Sequence, residues 1–67
     1  MWLRLGQNEL INLDHVSSVK KGLENTIDIH FKGFQQSRIL PFENKEDRDS
    51  AFERLVENLL RLGNAME

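Results

Sequence analysis

The side chains of this chain that could do chemistry are two histidines, four serines and a small set of cations. His15 follows Asp14, and Asp28 and His30 stand two residues apart, on one face of a strand. A metal centre needs three or four ligands that converge, and no His-x3-His or similar spacing imposes that here. There is no cysteine, which removes thiolate metal sites and disulfide frameworks together. Ser17, Ser18, Ser37 and Ser50 are possible nucleophiles, but none sits in a Gly-x-Ser-x-Gly elbow. A hydrolase would also need a base, an orienting group and an oxyanion hole around a substrate-sized cavity. A chain of 67 residues can hardly wall one off. The glycines are scattered at turns, without a phosphate-cradling loop or a dinucleotide fingerprint. The expectation is a non-enzymatic protein, with no catalytic residue, no metal and no cofactor.

The cations suggest a different chemistry. Lys20, Lys21, Lys32 and Arg38 could line one end of a sheet and touch phosphates, with Phe34 or Trp2 stacking a base. Nucleic-acid binding is therefore the alternative function. The charge balance opposes it, because nine Lys+Arg meet eleven Asp+Glu and the net charge is −2. Residues 1–42 carry five basic and four acidic groups, and residues 43–67 carry four and seven. Neither part supplies the counterion release that holds a polyanion.

The elements that must position these residues follow from periodicity. Trp2-Leu3-Arg4-Leu5 alternates, Gly6 to Glu9 is a natural turn, and residues 10–13 answer as a second strand, giving a hairpin. Asp14 to Val16 reads as one tight turn, because Asp can bond its own following backbone. Residues 16–21 form a third strand, closed by Gly22-Leu23-Glu24-Asn25. Residues 26–32 alternate strictly, with Ile27, Ile29 and Phe31 on one face and Thr26, Asp28, His30 and Lys32 on the other. In a fifth strand, 38–42, Leu40 and Phe42 point to the core and Ile39 and Pro41 away. Pro41 donates no ladder bond, which places that strand at an edge or the proline near the strand's own end.

Asn44 can cap a helix over 45–62, and acidic residues fill its first turns, where the helix dipole favours them. Ala51, Phe52, Leu55, Val56, Leu59, Leu60 and Leu62 occupy one arc of roughly 180° at about 100° per residue. Gly63 and Asn64 end the helix, leaving a short frayed tail. The fold class is α+β: one domain over 1–67, with a single antiparallel sheet of four to five short strands followed by one C-terminal helix packed on one face. The expected core is Ile27, Ile29, Phe31, Leu40, Phe42, Phe52, Leu55 and Leu59.

Folding a chain of this size removes roughly 7,000 Å² from water, and its apolar part, about 60%, supplies on the order of 100 kcal/mol. Ordering the chain costs about 100 kcal/mol, so the margin is thin. Against that margin, the helix arc is wider than a sheet-facing stripe of about 100° needs. Trp2, Leu10, Leu23, Phe34 and Ile39 also fall in loops or on the polar parity. A second copy, or some other protein partner, is the simplest cover for such a surplus. Trp2, Phe34, Ile39 and Leu60 are the expected interface. No run of 18 apolar residues exists, and residues 1–6 lack the pattern of a signal peptide, so a cytoplasmic location without membrane contact is expected.

Residues 11–19, residues 26–31 and the run from Leu40 to Phe52 resemble a group of small bacterial proteins built as a β-meander with a C-terminal helix. The order also resembles the second half of pleckstrin-homology-like folds, in which a terminal helix caps a curved sheet. The resemblance lies in apolar positions, so it implies a half-barrel fold and carries no site residue.

Overall fold

The computed structural model describes residues 1–5 and 8–63. The described residues form five antiparallel strands and one C-terminal helix: β1 (Trp2–Leu5), β2 (Glu9–Asn12), β3 (Val16–Lys21), β4 (Thr26–Phe31), β5 (Arg38–Pro41) and α1 (Lys45–Arg61). The α+β architecture is the one the sequence implies. The expected turn at Gly6 and Gln7 and the tail after Gly63 lie outside the described residues.

The strands form two sheets rather than one. β1 and β2 make a two-stranded hairpin, and β3, β4 and β5 make a three-stranded sheet in that order. The break falls at Leu13–His15, which form one turn of 3₁₀ helix. Asn12 caps that turn by accepting from the Asp14 N–H at 3.1 Å. The second strand therefore covers 9–12, not 10–13, and the turn begins one residue earlier than the sequence suggests. The ladder of the hairpin is extended by the Leu13 N–H, which donates to the Met1 carbonyl at 2.8 Å.

β3 pairs with β4 through Lys20↔Asp28 and Lys21↔Ile27, with a register shift between Val16 and Ser18. β4 pairs with β5 through Ile27↔Leu40 and Asp28↔Ile39. Partners across a ladder share a face, so Ile27, Leu40 and Lys21 point inward while Asp28, Ile39 and Lys20 point outward. The Phe42 N–H donates to the Asn25 carbonyl at 3.0 Å. Backbone groups alternate along a strand, so those of Leu40 also face β4, and those of Ile39 and Pro41 face the free edge. Pro41 has no N–H to leave unpaired there, which fits its place on the edge.

One core joins the two sheets and the helix. It contains Leu3, Leu5, Ile11, Leu13, Val16, Ile27, Ile29, Leu40, Ala51, Leu55 and Leu59. Phe31, Phe42 and Phe52, expected inside, are half-buried at its margin. The hairpin supplies the interior volume they do not. On α1 the buried row is Arg48, Ala51, Leu55 and Leu59, a spacing of three and four residues that keeps one helix face on the core. Asn44 caps the helix by accepting from the Asp47 N–H at 2.8 Å. Gly63, at φ +75°, follows it, its N–H donating to the Leu60 carbonyl at 3.0 Å.

Candidate interaction surface

The side chains expected at an interface are all exposed, but they stand on four different elements. Trp2 lies on β1, Phe34 in the loop between β4 and β5, Ile39 on β5 and Leu60 on α1. Ile39 belongs to the outer face of the three-stranded sheet, opposite Asp28. Leu60 is half exposed and Val56 half-buried, while Ala51 is buried, so the surplus flank of the helix is the one carrying Leu60 and Val56.

Trp2 has a different neighbour. In the hairpin Trp2 faces Asn12 and Arg4 faces Leu10, while Leu3, Leu5 and Ile11 turn to the core. Trp2 and Leu10 therefore occupy one diagonal of the outer face, and Arg4 and Asn12 the other. Trp2 is 64% exposed and Leu10 63%. They are the two large apolar side chains of this face, at diagonal positions within reach of one another, whereas single exposed ones are ordinary on any surface. The pairing of Leu10 with Trp2 follows from the register, which only the folded hairpin supplies. No family model, curated protein or solved structure matches the chain.

The cations are distributed differently from the expectation that they line one end of a sheet. Lys20 and Lys21 sit at the end of β3, and Lys32 follows β4, which runs the other way. Arg38 opens β5 opposite Ile29, towards the end of the sheet where Lys32 lies. Lys20 and Lys21 also point to opposite faces, as consecutive strand residues must. Lys21 turns inward, pairing with Asp49 at 3.1 Å, its ammonium 5.2 Å from the centre of the Phe52 ring. Arg38 is paired with Glu9 at 2.7 Å, which ties β5 to the hairpin. Two of the four cations thus already face a carboxylate.

Electrostatics elsewhere are local. The Arg48 guanidinium, and then the Lys21 ammonium, hold the Asp49 carboxyl below its usual range. The Met1 amine, 2.8 Å from the Asp14 carboxylate, does the same for Asp14. Among the described residues, no group of three or more His, Asp and Glu converges as metal ligands would. No described helix is long and apolar enough to cross a membrane.

Proposed function

We propose that this chain is a non-enzymatic protein-interaction domain that pairs with a second copy of itself through the outer face of the β1–β2 hairpin. The observation that carries the reading is the exposure of both Trp2 and Leu10 on one face of the hairpin, at diagonal positions. A two-fold contact needs a self-complementary patch. An apolar diagonal flanked by Arg4 and Asn12 meets that need when two hairpins face each other about an axis through its centre. Trp is also the residue type that contributes most in well-packed interface centres. A thin folding margin gives association a second benefit, since a partner that binds only the folded state stabilises it by mass action.

Sedimentation equilibrium over a range of concentrations tests the proposal. The expected result is a monomer–dimer equilibrium that the double substitution Trp2→Ser with Leu10→Ser shifts to monomer, while the far-UV circular dichroism stays unchanged. Wild-type protein that remains monomeric at about 100 μM, a concentration that populates any dimer with a micromolar Kd, overturns it.

A further inference from the structure

The outer face of the three-stranded sheet carries a feature that the hairpin surface does not use. Ser18 stands opposite His30, and Lys20 stands opposite Asp28, on two successive rungs of the β3–β4 ladder that share one face. Gln35 and Ser37, from the loop before β5, close one side. These six side chains line a hollow of about 220 Å³.

The loop has a defined course. The Phe34 N–H donates to the Phe31 carbonyl at 3.2 Å, and Gly33 takes a φ of +84° that other residues seldom adopt. Beside the hollow, Gly22 leaves space for the Asp28 carboxylate, because a Cβ there would stand 2.9 Å from Asp28 Oδ1.

The hydrogen-bonding groups of this shallow hollow face water: Ser18, Lys20, Gln35 and Ser37 are exposed, and Asp28 and His30 are half-buried. Lys21, Arg38 and Arg48 are all committed to carboxylates. By contrast, the side chains of Ser18, Lys20, Asp28, His30, Gln35 and Ser37 make no hydrogen bond or ion pair among the described residues. Lys20 and Asp28 are direct cross-strand partners of opposite charge, yet they do not bond to each other.

We infer that this hollow binds a small zwitterion, a free α-amino acid. Its formal charge balances, with one ammonium from Lys20 and one carboxylate from Asp28, so a ligand of net charge zero with both signs matches it. The ligand's carboxylate would accept from Lys20 Nζ and from the Ser18 and Ser37 hydroxyls, and its ammonium would donate to Asp28. A simple anion would leave Asp28 facing like charge, and a simple cation would face Lys20. The hollow is smaller than the roughly 300–1,000 Å³ of drug-sized sites, which suits a ligand of a few heavy atoms.

An amide NMR titration of the full chain with serine, alanine and glutamate tests this. N-acetylserine (no ammonium), serine amide (no carboxylate) and inorganic phosphate serve as the comparison probes. At least one free amino acid should give saturable shifts at Ser18, Lys20, Asp28, His30 and Ser37 in the millimolar range. Loss of either charged end of the ligand should weaken binding about tenfold, the scale of one charge-assisted hydrogen bond. Asp28→Asn and Lys20→Gln should each do the same, and their spectra report at once whether the fold is intact. No saturable shift with any amino acid overturns the inference. So does N-acetylserine binding equal to serine, or phosphate binding that is tighter than either and strengthened by Asp28→Asn. Neither readout depends on the hairpin, so the dimer reading stands or falls separately.

Discussion

Arg48, on the core-facing row of the helix, donates its Nη1 to the carbonyl of Gly22 at 3.3 Å and its Nε to the Asp49 carboxylate at 2.7 Å. These contacts pin the first turns of α1 to the β3–β4 turn, 26 residues earlier in the chain. Arg48 is the buried charged residue of the described structure, and its guanidinium is satisfied on both sides. Arg48→Ala should leave the Gly22 carbonyl without its donor and open a gap beside Ala51. The expected loss is about 1–3 kcal/mol, the range for an orphaned buried polar group. Urea denaturation should show a lower midpoint with an unchanged m-value.

Gly22 itself is fixed by close approach rather than by its backbone angle. A Cβ at this position would overlap Thr26 Oγ1 and crowd Asp28 Oδ1. Thr26 cannot move freely, because its hydroxyl donates to the Leu23 carbonyl at 2.7 Å. Gly22→Ala should therefore cost about 1–3 kcal/mol, as overpacked sites do. Gly22→Ala combined with Thr26→Ala should recover part of that loss. Thermal melts of the two single variants and the double variant measure the coupling.

Asp49 bonds its helix neighbour Arg48 and links the helix to the sheet through Lys21, and both contacts favour its charged form. Its folded pKa lies below the ordinary value of 3.8, so unfolding would bind protons that the native state does not. The stability this contributes is present above the unfolded pKa and is lost as pH falls through the folded one. Asp49→Asn should flatten the decline of stability below about pH 4 and leave the slope near neutrality unchanged. Urea titrations at stepped pH on both proteins give the comparison.

Much of this fold was legible in the residue pattern. Strict alternation over 26–31 placed Ile27 and Ile29 inside, and the Asn44 cap marked the start of the helix. The division into two sheets was not legible, because alternation reveals a strand's buried face and not its neighbour. The burial of Arg48 was hidden for another reason: a guanidinium enters a core only where carbonyl and carboxylate acceptors wait, and those come from Gly22 and from folding. Among the candidate surfaces, exposure was readable residue by residue, but grouping was not. Trp2 and Leu10 come together only once the hairpin register is known. The divergence of Lys20 and Lys21 is legible in the sequence, since adjacent strand residues always face opposite ways.

Leu13 and Leu23 give the sharpest contrast between residues of one type. Leu13 sits in the 3₁₀ turn, where the chain passes from one sheet to the other, and it is fully buried. Leu23 sits in the β3–β4 turn beside Glu24 and Asn25, both at positive φ, and is 86% exposed. Leu13→Ala should cost about 2–5 kcal/mol, because the cavity opens inside the core that the two sheets and the helix share. Leu23→Ala should change stability by no more than about 0.5 kcal/mol, since no packing is lost. Chemical denaturation of both variants at one protein concentration, kept low enough to hold the chain monomeric, separates these outcomes. Equal losses at the two positions would mean that the turn at Leu23 is covered in solution, and equal tolerance would mean that the two sheets do not share a core.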